Sequence, residues 1–255
     1  MKKIKLIHIF NVILFLNPVL FSQEFTAREL VDEANKVLRG NSSHALLNMT
    51  ITTHRWSRTM EIEGWNRDRE DAFILIHAPP KEKGTTTLRL KQEMWLWKPS
   101  VERVIKIPAT MMQSSWMGSD FTYEDIVKAD SIVKEYTHKI LKHQELEGKE
   151  IFTIEALPNQ DAPVVWGKVV LLVLRYPDGQ VVPLKEEDYS ERGELIRTLE
   201  FSEVKMIKNK RVPTKIVCLP HRKKEQKTEI HYKKMDFDIS YPENFFSLSR
   251  LQKGK

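Results

Sequence analysis

Met94-Trp95-Leu96-Trp97-Lys98-Pro99 and, further on, Ser115-Trp116-Met117-Gly118-Ser119-Asp120-Phe121-Thr122-Tyr123-Glu124-Asp125 gather large apolar and sulfur side chains in a sequence that is 30% charged. The first reads as a short aromatic strand stopped by a proline, which has no N–H to give to a ladder. The second reads as an apolar loop running into a capped helix. Between them lie Arg103 to Pro108, which reads as another strand, and the pair Met111-Met112. Trp95 and Trp97 share one face of their strand, Met94 and Leu96 the other. A strand apolar on both sides, in a chain with few helices to cover it, predicts the wall of a hydrophobic pocket with the following loop as its rim.

Outward from this stretch the period is two. Leu47, Met49 and Ile51 alternate with Asn48, Thr50 and Thr52, and Met60 and Ile62 with Glu61 and Glu63, as in half-buried strands. Residues 71–77, 87–90, 135–143, 150–157, 168–175, 182–189, 195–204, 212–219 and 227–234 read as further strands, divided by turns such as Asp178-Gly179 and Glu191-Arg192-Gly193. Short polar turns between strands mean antiparallel hairpins. Two helices are expected. Thr26-Ala27-Arg28-Glu29 is a capping box, followed by Leu30, Ala34, Val37 and Leu38 at helical spacing and by Gly40 as a stop. Phe121 to Ala129 is the second, with Asp120 as its N-cap. Phe245 and Phe246 are expected to tuck under the sheet from a terminal turn. A sheet this wide curls, and its concave face must be filled or left as a cavity.

Residues 1–22 read as a secretory signal peptide: Lys2, Lys3 and Lys5, then an apolar run broken by His8, Asn11, Asn17 and Pro18. No cysteine stands near the expected cleavage site, so no lipid anchor is expected. Residues 23–255 are expected to form one domain. Loss of the three lysines takes the net charge from +6 to about +3, too little to argue for nucleic acid. Cys218 is the only cysteine and reads as a small buried residue in Ile216-Val217-Cys218-Leu219. The histidines never fall at ligand spacing, so no metal is expected. Gly118-Ser119-Asp120 lacks the second glycine of a nucleophile elbow, and no phosphate-cradling loop is present. Asp120, Glu124 and Asp125 are placed as helix N-terminal carboxylates rather than as a catalytic pair. No catalytic residue and no cofactor is expected, and the chain reads as a non-enzyme.

Trp95-Leu96-Trp97-Lys98-Pro99, Arg103-Val104-Ile105-Lys106-Ile107 and above all Met117-Gly118-Ser119-Asp120-Phe121-Thr122-Tyr123-Glu124-Asp125 resemble the signature of the LolA-like outer-membrane lipoprotein-sorting family. So do Pro183-Leu184-Lys185 with Tyr189, Gly193-Glu194-Leu195, Val212-Pro213-Thr214, and Phe245-Phe246 with Leu251. The resemblance implies a mainly β, half-open and strongly curved antiparallel β-barrel of about 11 strands, with a few short helices lidding its concave face. It implies a periplasmic monomer that holds lipoprotein acyl chains, or related lipids, in that cavity without covalent chemistry. An outer-membrane receptor or an inner-membrane exporter is the implied partner, and a sensor or adaptor that binds an envelope protein is the alternative on the same fold. Such carriers close their lid with an arginine that no motif here identifies. The expected cavity and lid residues are Leu47, Met49, Ile51, Met60, Ile62, Phe73, Leu75, Leu88, Trp95, Trp97, Ile105, Met111, Met112, Trp116, Met117 and Phe121.

Overall fold

The computed structural model describes residues 25–223 and 225–253. The expected signal peptide lies outside the described residues. Helix α1 (Ala27–Lys36) opens the fold, and its capping box is formed as expected: the Thr26 hydroxyl accepts from the Glu29 N–H at 3.2 Å while the Glu29 carboxylate accepts from the Thr26 N–H at 2.8 Å. Six strands follow: β1 (Ser42–Thr52), β2 (Ser57–Arg67), β3 (Asp71–Ala78), β4 (Thr86–Leu90), β5 (Glu93–Lys98) and β6 (Arg103–Lys106). Two short 3₁₀ turns, helix α2 (Tyr123–Val127) and helix α3 (Ser131–Lys134) make the central crossing. Seven more strands complete the sheet: β7 (Tyr136–Leu146), β8 (Lys149–Pro158), β9 (Lys168–Arg175), β10 (Val181–Tyr189), β11 (Leu195–Ile207), β12 (Lys210–Pro220) and β13 (Lys227–Phe237). Helix α4 (Leu248–Lys253) follows.

All thirteen strands form one antiparallel sheet, two more than the resemblance implies, in the order β6-β5-β4-β3-β2-β1-β13-β12-β11-β10-β9-β8-β7. Each half is a meander whose neighbours in sequence are neighbours in space. The two halves are stitched by β1 and β13, whose register runs from Ser43 opposite Phe237 to Thr52 opposite Lys227. The sheet curves but does not close: β6 and β7 remain its two edges.

Residues from ten strands converge on one cavity, which identifies that face as the concave one. Two apolar clusters flank this cavity. Under α1, Leu30, Val31 and Ala34 pack on Phe152, Ile154, Val169, Leu171 and Val173. Under α2, Tyr123 and Val127 join Met49, Ile51, Met60, Ile62, Ile76, Met94 and Trp116. On the convex side Phe73 and Leu88 are covered by Phe246 and Leu251 from the end of the chain, as expected for the two terminal rings; helix α4 was not expected.

Helix α2 differs from the expected one. It is shorter than Phe121 to Ala129, and its N-cap is Thr122, not Asp120. The Thr122 hydroxyl accepts from the Asp125 N–H and the Asp125 carboxylate accepts from the Thr122 N–H at 2.7 Å, so a second capping box outcompetes the earlier carboxylate. Asp120 instead accepts from the Thr228 hydroxyl at 2.8 Å and from the Gln226 amide at 2.5 Å, which pins the loop to β13.

Candidate functional site: a lidded apolar cavity

The cavity has a volume of about 330 Å³ and lies between the concave face and the lid formed by α1, α2 and α3. Its walls follow from the pleat, in which every second side chain faces inward. Strand β1 contributes Ala45, Leu47 and Met49; β2 contributes Ile62, Gly64 and Asn66; β3 contributes Ala72 and Ile74. From the other half come Val169 and Leu171 of β9, Leu199 and Phe201 of β11, Ile216 of β12, and Ile230 and Tyr232 of β13. The lid adds Ala34 and Leu38 from the α1 end, Ile126 from α2 and Ile132 from α3. At 330 Å³ with mostly apolar walls and a few polar groups, this is a small-ligand cavity by size and lining. A second cavity of about 220 Å³ shares Asp125, Lys128, Ser131, Tyr136 and Trp166 with the first and reaches Gln113 and Val164.

Polar groups tie the lid down at few points. Arg197 of β11 donates Nη1 to Asp125 Oδ2 at 2.8 Å and Nη2 to Asp125 Oδ1 at 2.7 Å, and its Nε donates to Asp188 Oδ2 at 2.6 Å. Burial alone would raise the Asp125 carboxyl; the Arg197 guanidinium and the donors of Thr122 outweigh it and hold Asp125 below the usual carboxylate range. Arg89 of β4 donates Nη1 to the carbonyls of Ile126 at 2.7 Å and Val127 at 3.2 Å, so it holds the C-terminal end of α2, where cations are favoured. Arg69, in the β2–β3 turn, donates to Asp130 at 2.8 Å and to Asp32 at 3.0 Å, joining α1 to the start of α3. Glu186 and Asp188 stand together beside Arg197. Burial raises both; Arg197 restrains Asp188 to about 6, while Glu186, buried next to the Asp188 charge, is pushed up to about 8.

The structure sorts the expected site residues into three groups. Leu47, Met49, Ile62, Trp116 and Phe121 line the cavity, and Ile51, Met60, Met112 and Met117 pack in the cluster beside it under α2. Phe73, Leu75, Leu88, Trp95 and Trp97 lie on the opposite, convex face. The reason is register: Phe73 is paired with Leu88 and Leu88 with Trp95, and residues directly opposite share a face. Met94 and Leu96, not the two tryptophans, are the inward residues of β5. Ile105 on edge strand β6 and Met111 in the first 3₁₀ turn are exposed, at 41% and 43%. Ser119 is buried and its hydroxyl donates to the Trp116 carbonyl at 2.7 Å, which makes it a turn residue. Cys218 is buried and free, and burial pushes its thiol up to about 12. Arg39, Arg89 and Arg197, which line the cavity, were not among the expected residues: an arginine in a strand or helix end looks the same in sequence whether it faces solvent or a cavity.

A family model described as that of an uncharacterized protein matches residues 68–253. No curated protein matches the chain. Among solved structures, it is similar to a DUF1329 family protein from Desulfovibrio piger, at 21% identity with a TM-score of 0.75 over 89% of this chain and 98% of that one. A LolA superfamily protein from Nitrosomonas europaea matches at 20% identity and a TM-score of 0.72, over 89% of this chain and 99% of that one. A domain from Vibrio parahaemolyticus, provisionally described as an outer membrane lipoprotein-sorting protein, matches at 24% identity and a TM-score of 0.72, over 89% and 98%. The chain shares the fold of these three structures.

Proposed function

We propose, for a chain that belongs to the uncharacterized-protein family matched over residues 68–253 and has the LolA-superfamily fold, that it binds acyl chains of lipoproteins or related lipids in the lidded cavity. The observation that carries this reading is the cavity itself: about 330 Å³ of mostly apolar space that neither α1 nor α2 fills. Each methylene removed from water there contributes about 0.8 kcal/mol, so an acyl chain is bound without any covalent step. The protein is exported through residues 1–22, works as a monomer in the periplasm, and carries its cargo toward the outer membrane; residues 23–255 act as one domain. Among the described residues no helix is long and apolar enough to cross a membrane. The second cavity, which adjoins the first at Trp166 and Lys128, is the access route past α2. Handing the cargo to an outer-membrane receptor or taking it from an exporter needs only a modest affinity step, since ~1.4 kcal/mol is a tenfold bias.

One observation favours a second role for the same fold, docking on another envelope protein. Edge strand β7 carries Leu141 and Leu146 at 50% and 60% exposure, and a free edge can accept a further strand. The test that separates the two is titration of the protein with a fluorescent fatty-acyl probe. Saturable uptake, competed by unlabelled lipid, supports the carrier reading; no uptake leaves the docking role in front.

A further inference from the structure

Two arginines face the cavity, each with one buried donor that has no acceptor. Arg39, just past α1, makes no side-chain hydrogen bond or ion pair among the described residues, and its Nη1 is buried and unpartnered. Arg89 is 3% exposed; beyond its bonds to the Ile126 and Val127 carbonyls and to the Arg69 carbonyl, its Nε is buried and unpartnered. Neither guanidinium meets a carboxylate. The acids around them are already engaged. Asp130 is taken by Arg69 and by the Asn35 amide at 2.8 Å, and Asp125 by Arg197. Glu186, which also faces the cavity, makes no hydrogen bond to either arginine, and burial beside Asp188 pushes its carboxyl up to about 8. Burial lowers the pKa of both arginines, and Arg39 is close enough to push that of Arg89 down further, to about 10.

Two like charges in one mostly apolar cavity, each with an unused N–H, are costly unless an anion completes them. We infer that Arg39 and Arg89 form an anion-recognition site at the junction of sheet and lid, and that the ligand is an amphiphile whose carboxylate or phosphate head lies between them. This rests on the lipid-binding reading above and names the ligand class within it. The hydrocarbon chain then runs along Leu47, Met49, Ile62, Leu199 and Ile216. Guanidinium forks suit both kinds of oxyanion, and the N–H groups left over are those such a head accepts from. Because Arg89 also holds the Ile126 and Val127 carbonyls of α2, an anion bound to it sits directly under the lid.

The test is calorimetric titration of the full chain, without its leader, with dodecanoate, dodecyl phosphate and dodecanol, three ligands with one tail and different heads. The anions should bind about tenfold or more tighter than the alcohol, the usual weight of a charge-assisted hydrogen bond. The stronger of the two anions identifies the head as carboxylate or phosphate. Arg39→Met should remove most of that preference, while Arg39→Lys keeps part of it. Circular dichroism confirms that each variant is folded, and should Arg39→Met fail to fold, the comparison of native protein across the three ligands decides alone. Equal affinity for all three ligands would overturn the anion site while leaving lipid binding in place. Preference unchanged in a folded Arg39→Met would overturn the role of Arg39. No binding of any of the three would overturn the lipid reading and this inference with it.

Discussion

Arg197 on β11 grips Asp125 on α2 with two parallel hydrogen bonds, Nη1 to Oδ2 at 2.8 Å and Nη2 to Oδ1 at 2.7 Å. This fork joins the sheet to the lid across a buried site, since the Arg197 side chain is 7% exposed. Removing one partner of a buried pair costs about 3–5 kcal/mol when it strands the other charge, and Arg197 would keep Asp188, so the lower end of that range, about 3 kcal/mol, applies here. Asp125→Ala should therefore lower stability in urea by roughly that amount, with the lost Thr122 capping box included. It should also speed release of a bound acyl probe in stopped-flow measurements, because α2 loses its main tether. Unchanged release kinetics in a folded variant would mean that α2 is not a gate.

Trp95 and Trp97 make the opposite prediction. They stand in the convex-face ladder under the terminal rings, on the far side of the sheet from the cavity. Trp95→Ala and Trp97→Ala should lose up to ~3 kcal/mol of stability, less than for a fully buried ring, and leave acyl-probe affinity within about twofold of the parent. A large drop in affinity without a drop in melting temperature would place these rings in the binding site after all.

Gly64 offers a way to fill the cavity without strain. It lines the cavity from the middle of β2, opposite Ala45 and Ile74, and a Cβ added there would meet no atom within 4 Å. Gly64→Ile should hold or raise stability, by about 0.4–1 kcal/mol through the unfolded chain, and should weaken acyl binding about tenfold or more. Parent-like binding by a stable Gly64→Ile protein would show that the ligand sits elsewhere.

The buried carboxyl pair gives a pH dependence with a definite sign. Glu186 has a folded pKa of about 8 against an ordinary value of 4.5. Between those two values the native state holds a proton that the unfolded chain has released, so this group's contribution to stability is complete below pH 4.5 and is lost as pH rises through 8. Urea midpoints should fall across that window, and Glu186→Gln should flatten the slope. A parent whose stability climbs steadily from pH 5 to 8 would show that Glu186 ionises normally.

Much of this fold can be read from alternation alone. Leu47, Met49, Ile51, Met60 and Ile62 share the concave face, the thirteen strand segments were all legible, and Thr26 with Glu29 marked the start of α1, which ends at Lys36, before the Gly40 stop. What alternation cannot tell is which of two apolar faces curls inward. In β5 both are apolar, and only the pairing of Leu88 with Trp95 sends the tryptophans outward. Helix α4 was invisible because six residues with only Leu248 and Leu251 as apolar anchors carry no helical period. The cavity arginines were hidden among 41 lysines and arginines, since the burial of Arg89 and Arg197 depends on the long-range pairing of β4 and β11 with their neighbours.

The central claim is that the space under the lid holds an acyl chain. Native mass spectrometry of the mature protein, purified gently from a periplasm and followed by lipid extraction, tests it most directly. The account predicts a population heavier than the bare chain by the mass of an acyl lipid or a captured lipoprotein, with that mass lost from Gly64→Ile. A protein that arrives bare, and stays bare when offered acyl lipids at saturating concentration, would contradict it.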